Sequence, residues 1–189
     1  AVVKRDCPTC ELTEPVLAVL AEAGSLTVYT QDDPAFPESV PHQYDETLDV
    51  SHELKIEVVP TLLRREGGRE VGRTYGWDKS EWRKLTGLAT LGEALPELRP
   101  GCGAKNIEPG VIEDLLVRHG ESGLQSRRIE LGVAEDEIEA LFDRGWSDGL
   151  PLVPPTEARV LRMLGGTARD PKEIIGKVPS DLADCTIEK

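Results

Sequence analysis

Apolar residues fall into short blocks along the first part of the chain, and their spacing predicts a strand, a helix and a second strand. Residues 1–3 form an apolar run that is typical of a buried strand. Residues 10–23 carry apolar side chains at helical intervals and stop at Gly24, a residue type that commonly ends helices. Residues 25–29 are rich in β-forming side chains. This β–α–β order predicts a parallel strand pair, because parallel neighbours need a crossover connection.

The blocks that follow predict the rest of an α/β unit. The predicted elements are, in order, a proline-rich loop over residues 31–41, a short helix over 49–56, a strand that begins at 58 and enters a hairpin of 62–65 and 70–75, and a helix over 80–90. Gly67 and Gly68 supply the turn of the hairpin, and Ser80 is expected to cap the last helix. The order β–α–β–α–β–β–α predicts an α/β fold over residues 1–95.

Two cysteines stand at the predicted start of the first helix, in the motif Cys7-Pro8-Thr9-Cys10. Free N–H groups and the positive end of the helix dipole stabilise a thiolate at such a position. A thiol whose ordinary pKa is about 8.5 has a pKa of roughly 3.5–7.5 in motifs of this kind. The pair predicts dithiol–disulfide exchange, with Cys7 as the nucleophile and Cys10 as the thiol that resolves the mixed disulfide.

A second motif, Val59-Pro60-Thr61, opens the predicted third strand. Together with CPTC after the first strand, a hairpin turned by glycines and a final helix, it makes residues 1–95 resemble the thioredoxin fold. The resemblance implies that the peptide bond before Pro60 is cis and lies beside the disulfide, where Val59 presents its backbone to an extended substrate chain. It also implies a protein thiol or disulfide as the substrate and no organic cofactor, because the electrons reside on sulfur.

The first motif departs from the thioredoxin pattern at two places. Asp6 stands where thioredoxins usually have tryptophan, and Pro-Thr replaces the commoner Gly-Pro between the cysteines. The carboxylate of Asp6 is expected to oppose thiolate formation at Cys7 by like-charge repulsion, which Lys4 and Arg5 would offset. The direction of electron flow therefore stays open.

Residues 96–110 are rich in proline and glycine and predict a linker, which carries Cys102 between two glycines. Cys102 is either a third redox thiol or an exposed linker cysteine. An alternative is a zinc site built from four thiolates, those of Cys7, Cys10, Cys102 and Cys185. Structural zinc sites usually use two short-spaced pairs, whereas Cys102 and Cys185 are solitary. The sequence therefore favours redox chemistry at the first pair, without a metal.

Residues 111–189 predict a mostly helical, irregular extension, with helices over 111–119, 134–144 and 157–164. The run DRGWSDGLPLVPPTEARVLRML, with GKVPSDLADCTIEK after it, makes residues 140–189 resemble the N-terminal part of the UGSC family of selenocysteine- or cysteine-containing proteins. The chain has no match to the U/C-G-S-C motif of that family, which continues beyond the position of Lys189. We therefore expect either a fragment or a docking segment that another polypeptide completes.

A third resemblance is confined to residues 116–122, Leu-Val-Arg-His-Gly-Glu-Ser, which match the phosphohistidine signature of the histidine phosphatases. In that family the Arg-His pair ends the first strand of a large α/β domain, and a second catalytic histidine comes much later. Here the pair ends a predicted helix, and no histidine follows His119. We interpret the match as a coincidence of letters.

The net charge of the chain argues against two classes of binding partner. The chain carries 22 Lys and Arg against 35 Asp and Glu, a net charge of −13 at pH 7. Nucleic acids and anionic membranes both select concentrated Lys and Arg, so the balance argues against both. No apolar run reaches the length of a transmembrane helix, about 18 residues or more. Four cysteines are too few for a secreted disulfide scaffold, so a cytoplasmic protein is expected.

The sequence thus predicts a thiol–disulfide oxidoreductase that works through Cys7 and Cys10. Its target is expected to be a partner cysteine or selenocysteine protein that docks on residues 111–189. Two alternatives stay open. One is a non-catalytic assembly subunit whose C-terminal arm completes a partner protein, and the other is a carrier of metal or sulfur on the CxxC pair.

Overall fold

The structure, a computed structural model, describes residues 1–24, 26–179 and 181–189. The chain divides into two compact units, Ala1–Leu115 and Leu116–Lys189. Part of the predicted second strand falls on Ser25, which lies outside the described residues.

A mixed β-sheet forms the framework of the first unit. The strands of this unit are β1 (Val2–Val3), β2 (Tyr29–Thr30), β3 (Gln43–Tyr44), β4 (Val58–Val59), β5 (Thr61–Glu66), β6 (Arg69–Tyr75), β7 (Trp77–Asp78), β8 (Leu98–Arg99) and β9 (Cys102–Gly103). Within the described residues the sheet has the order β3-β2-β1-β5-β6. β2 pairs in parallel with β1 and β3, whereas β5 pairs antiparallel with β1 and β6. The sheet therefore contains both the parallel pair and the hairpin that the sequence predicts.

The helices α1 (Pro8–Ala23), α2 (Asp49–Glu53) and α3 (Lys79–Thr86) complete this part of the first unit. Apolar side chains from the strands and helices meet in one buried cluster, in which Trp77 and Trp82 are the largest fully buried side chains. The centroids of the two indole rings lie 5.2 Å apart, and each ring donates its N–H to a backbone carbonyl. This α/β arrangement is thioredoxin-like, and the predicted fold class is confirmed.

Residues 96–110 differ from the linker that their composition predicts. β8 pairs antiparallel with β7, and β9 pairs antiparallel with β4. We call residues 98–106 the strap, because they are bound to the rest of the first unit on both sides of Cys102. The paired segments are two residues long and show no hydrophobic periodicity, so the sequence pattern did not indicate them. The strap belongs to the first unit, which extends to Leu115.

Two local features also differ from the expectations. Asp78, and not Ser80, caps α3, because its Oδ1 accepts hydrogen bonds from the N–H groups of Ser80 and Glu81 at 3.0 and 3.1 Å. β3, which the sequence did not predict, follows the proline-rich loop and lies at the edge of the sheet. Its two residues are exposed, so burial leaves no alternating pattern by which a strand could be recognised.

The second unit combines short helices with a strand pair. Its elements are α5 (Glu137–Asp143), α6 (Glu157–Leu164) and the antiparallel strands β10 (Ile174–Lys177) and β11 (Asp184–Thr186), and α4 (Val111–Arg118) includes the boundary between the units. Helices lie in the three predicted regions, whereas the strand pair was not predicted. Among the described residues of this unit, only Ala140 is buried. Every helix in the described parts of the chain is too short or too polar to span a membrane.

Candidate active site

The two cysteines of the CPTC motif lie at the start of α1. Cys7 is the residue before the first helical turn and has an extended backbone, and Pro8 occupies the first turn, where its missing N–H removes no helical hydrogen bond. The N–H of Glu11 donates to the Cys7 carbonyl at 3.1 Å, which closes that turn. Both thiols are enclosed, since Cys7 is 1% exposed and Cys10 is 0% exposed.

The surroundings of Cys7 favour its thiolate. A hydrogen bond from the Cys10 thiol makes the largest contribution, and the Cys102 thiol and the N–H groups of Cys10 and Thr9 also donate to the sulfur. Together they lower the pKa of Cys7 to about 5, although burial alone would raise it. This environment favours the thiolate form of Cys7 at neutral pH, at the start of a helix.

Cys10 has the opposite character. Burial raises the pKa of the Cys10 thiol far above its ordinary value, and the hydrogen bond that it donates to Cys7 raises it further. The N–H of Lys4 donates to the Cys10 sulfur at 3.4 Å and opposes this shift. The pair consists of one stabilised thiolate and one protonated thiol that serves as its hydrogen-bond donor.

The two residues that the thioredoxin resemblance assigns to substrate binding lie beside Cys7. The peptide bond between Val59 and Pro60 is cis. The Cys7 thiol lies 3.5 Å from the Val59 carbonyl oxygen, within hydrogen-bond distance for sulfur. The Pro60 carbonyl accepts a hydrogen bond from the Gly76 N–H at 2.8 Å, so the turn after the hairpin supports the loop.

The structure also brings Cys102 to this site. In the antiparallel pair of β4 and β9, Val59 lies opposite Cys102. The register of that pair places Cys102 beside Val59, whose carbonyl oxygen lies 3.5 Å from the Cys7 sulfur. Burial, followed by hydrogen bonding to Cys7 and the charge of Cys7, raises the pKa of Cys102 to about 11. Cys7, Cys10 and Cys102 thus form a cluster, which we call the three-thiol cluster.

Two glycines allow the strap to approach the cis-proline loop. A Cβ atom on Gly101 would lie 2.5 Å from the Val59 carbonyl oxygen and would also meet the Val58 side chain. Gly76 has a φ of +61°, and a Cβ atom there would lie 2.6 Å from the Gly101 nitrogen. Both contacts involve backbone atoms, so neither position has space for a side chain.

Polar side chains fix the strap on both sides of Cys102. The Thr9 hydroxyl, within the CPTC motif, donates to the Pro100 carbonyl at 2.6 Å. Beyond Cys102, the buried Gln31 accepts from the Lys105 N–H at 2.9 Å and donates to the Asn106 side chain at 2.9 Å. The sequence reasoning did not identify these residues. A polar residue directly after a predicted strand was the only local signal at Gln31.

The expected effect of Asp6 on Cys7 differs from what the structure shows. The pKa of Cys7 is lowered despite the neighbouring carboxylate, because thiol and backbone donors surround the sulfur. The Asp6 charge instead contributes to raising the pKa of Cys102. Arg5 and Asp6 donate their N–H groups to the Asp32 carboxylate at 2.7 and 2.9 Å, which fixes the backbone before Cys7.

The fourth cysteine, Cys185, lies half-buried in β11 of the second unit. Outside Ser25 and Ser180, which are not described, no group of three or more His, Cys, Asp or Glu side chains is arranged to hold a metal ion. The phosphatase-like letters lie partly on α4, which ends at Arg118, and Gly120 follows with a φ of +70°. A helix thus stands where the phosphatase motif needs a strand.

Comparisons with known proteins were made for the whole chain. No family model and no solved structure matches it. The chain is 36% identical over 78 residues to thioredoxin H2-1 of Oryza sativa subsp. japonica. This match covers 41% of the chain and 49% of that protein, so the chain spans about half the length of the curated relative. The match supports a thioredoxin-fold segment, whereas the UGSC resemblance stays a prediction.

Proposed function

We propose that the chain is a thiol–disulfide oxidoreductase that exchanges disulfides with a protein substrate through Cys7 and Cys10. One observation carries the proposal. The pKa of Cys7 is lowered to about 5 by donors at a helix N-terminus, and the first of these donors is the Cys10 thiol itself. Similarity to a thioredoxin over 78 residues supports the same class of chemistry. No metal or organic cofactor takes part in it.

The proposed reaction has two steps at sulfur. The Cys7 thiolate attacks one sulfur of a substrate disulfide, a mixed disulfide forms at Cys7, and the other substrate sulfur leaves as a thiolate. Cys10 then loses its proton and attacks the Cys7 sulfur, which releases the second substrate thiolate and leaves a Cys7–Cys10 disulfide. Two electrons pass from the Cys7 thiolate and the Cys10 thiol to the substrate. One released thiolate takes up the proton that Cys10 loses, and the other takes up a proton from solvent. The reverse sequence oxidises a substrate dithiol.

Val59 and Pro60 are proposed to hold the substrate during this exchange. The Val59 carbonyl lies 3.5 Å from the Cys7 sulfur, so an extended chain that pairs with Val59 would bring its own sulfur close to Cys7. Main-chain pairing of this kind selects extended peptides with little dependence on their side chains. In the structure β9 pairs with β4 at this edge.

A redox titration tests the proposed function. The protein is equilibrated in glutathione buffers of increasing oxidising strength, free thiols are alkylated, and peptides are identified by mass. We expect a reversible two-electron couple with a Cys7–Cys10 disulfide. Cys7→Ser should abolish both the couple and turnover of a disulfide substrate, whereas the matched change Cys185→Ser should alter neither. No Cys7–Cys10 disulfide at any ratio would refute the proposal.

We further propose that the substrate is a cytoplasmic cysteine or selenocysteine protein that docks on residues 111–189. The second unit presents large apolar side chains to solvent, with Phe142 57% and Met163 80% exposed. Its UGSC-like sequence suggests the class of partner. Isolation of the full chain from its native cell should yield it together with a thiol or selenol protein, and isolation of the chain alone would contradict docking.

The same exposed surface favours the non-catalytic assembly subunit as a second candidate function. In that case the C-terminal arm completes a partner protein, and the CxxC thiols are not needed. Cys7→Ser separates the two candidates, because an assembly subunit with this change would still bind and support its partner. An oxidoreductase with the same change would bind the partner but leave its disulfide or selenenylsulfide unreduced.

A further inference from the structure

The strap occupies the position that the proposed function gives to a substrate chain. β9 pairs antiparallel with β4, so that Val58 and Val59 face Gly103 and Cys102. The N–H of Ala104 donates to the Glu57 carbonyl at 3.0 Å and extends this pairing by one residue. The chain therefore places its own extended segment, with a cysteine in it, on the backbone edge beside Cys7.

Cys102 is held in register with the CPTC motif from both directions. The hydrogen bond from Thr9 to the Pro100 carbonyl, at 2.6 Å, fixes the strap just before Cys102. Gln31 binds the Lys105 backbone and the Asn106 side chain just after it. Gly101 packs against the Val59 carbonyl in a space that excludes a Cβ atom. Four separate interactions thus hold Cys102 beside Val59, the residue whose carbonyl oxygen lies 3.5 Å from the Cys7 sulfur.

The two thiols differ in access. Cys7 is 1% exposed, whereas Cys102 is half-buried and keeps part of its surface in solvent. Cys102 therefore offers more of its surface to a thiol from solution than Cys7 does.

We propose that Cys102 is the internal partner thiol of Cys7. A Cys7–Cys102 disulfide alternates with the Cys7–Cys10 disulfide and is the form that external thiols attack. This inference rests on the proposed dithiol–disulfide function of Cys7 and Cys10. It assigns to the strap the role of a substrate that is covalently part of the enzyme.

The internal step is an isomerisation and needs no oxidant. In the protein with a Cys7–Cys10 disulfide, Cys102 loses its proton and attacks the Cys7 sulfur. A Cys102–Cys7 bond forms, the Cys7–Cys10 bond breaks, and Cys10 leaves as a thiolate that takes up a proton. The number of disulfides and electrons in the protein is unchanged. In the reverse step Cys10 attacks Cys7 and releases Cys102.

The external step transfers the disulfide to a solution thiol. A thiolate RS⁻ attacks the Cys102 sulfur, the R–S–S–Cys102 bond forms, and Cys7 leaves as the thiolate. Cys7 is a good leaving group because neighbouring donors lower its pKa to about 5. A second RS⁻ then attacks the R sulfur, which gives RSSR and the Cys102 thiol. Two RSH molecules have been oxidised to RSSR, the protein has gained two electrons and the proton on Cys102, and the second proton stays in solution because Cys7 remains a thiolate.

Disulfide mapping in variants that each lack one cysteine tests the inference. Cys10→Ser and Cys10→Ala are both equilibrated with reduced and oxidised glutathione, alkylated and digested. We expect a Cys7–Cys102 disulfide as the main oxidised species in whichever variant folds. Oxidised Cys102→Ser should contain the Cys7–Cys10 disulfide but react with reduced glutathione about tenfold more slowly than the wild type, because the exposed sulfur is missing. Cys185→Ser, with the same chemical change, should react at the wild-type rate.

The outcomes separate this inference from the proposed function. A Cys10 variant that carries glutathione on Cys7 and leaves Cys102 free would overturn the internal exchange while the Cys7–Cys10 couple of Cys102→Ser still upholds the proposed function. Absence of that couple in Cys102→Ser would refute both. Thr9→Val leaves every thiol in place and removes the hydrogen bond to Pro100. Combined with Cys10→Ser, it should lower the yield of the Cys7–Cys102 disulfide, and an unchanged yield would contradict the role of the strap.

Discussion

The two units bury their apolar side chains to very different extents. In Ala1–Leu115, the side chains of the sheet, of α1 and of the tryptophans form one buried cluster. In Leu116–Lys189, Ala140 is the only buried residue among those described, and Met163 is 80% exposed. Both units contain helices with one apolar face, so the difference does not lie in local pattern. It lies in whether a second layer covers that face.

This difference determines what each unit can do chemically. Burial in the first unit raises the pKa of Cys10 and Cys102, whereas hydrogen-bond donors around the Cys7 sulfur outweigh burial and lower its pKa. The second unit offers no enclosed environment of this kind among its described residues. It instead exposes large apolar side chains, among them Met163, which the proposed function assigns to a partner.

Replacing one tryptophan in each unit by alanine tests this difference in burial and should give the largest effect. Trp82 is 0% exposed and donates its indole N–H to the Gly76 carbonyl, whereas Trp146 in the second unit is 50% exposed. We expect Trp82→Ala to lower the free energy of unfolding by about 3–5 kcal/mol, because it leaves a cavity. Trp146→Ala should change it by less than about 1 kcal/mol. Equal losses of unfolding free energy for the two variants, measured by urea denaturation, would contradict the difference in burial.

The strap glycines give a smaller effect within the first unit. Gly101→Ala would place a Cβ atom against the Val59 carbonyl, whereas a Cβ atom on Gly103 meets nothing within 4 Å. We expect Gly101→Ala to cost about 1–3 kcal/mol of stability through overpacking. Gly103→Ala is the control and should cost about 0.5 kcal/mol or less. Denaturant midpoints measure both changes, and a tolerated Gly101→Ala would show that the strap does not pack as described.

The pH dependence of alkylation tests the thiol environment at Cys7. Because the pKa of Cys7 is lowered to about 5, its thiolate predominates above that pH and is lost below it. Iodoacetamide modification of the reduced protein should therefore be about tenfold slower at pH 4 than at pH 7. In Cys102→Ala the pH midpoint of Cys7 alkylation should rise, because one side-chain donor to the thiolate is missing. A midpoint near the ordinary thiol value in the wild type would exclude the arrangement of donors.

Two equivalent helix caps give the smallest effects and compare the units directly. Asp78 accepts from two N–H groups at the start of α3, and Asp136 does the same at the start of α5. Replacing either aspartate by alanine should cost about 1 kcal/mol of helix stability, whereas replacement by asparagine should keep most of the capping stabilisation. We expect the Asp78 change to lower global stability. The Asp136 change should appear as faster amide exchange confined to α5, and global unfolding would contradict this.

Much of the fold could be predicted from the sequence. The helices α1, α2 and α3 follow from apolar spacing, and the hairpin of β5 and β6 follows from its two-glycine turn. The pair Cys7 and Cys10, and Val59 with Pro60, could be identified because each is a local motif with its own chemistry. The strands β3, β7, β8 and β9 were not predicted, because each is two residues long and, unlike β1, β2 and β4, lies in no run of apolar or β-forming residues.

The sequence by itself determined where a thiolate can form, because a helix start is a local property and its N–H groups lie within the CPTC motif. It also determined that an extended, proline-bearing segment stands before the hairpin. Only the tertiary structure decided that Cys102 joins the pair and that Gln31 and Thr9 hold it there. Strand pairing between β4 and β9 joins residues far apart in the chain, and a two-residue, glycine-flanked strand has no hydrophobic pattern from which its partner could be predicted.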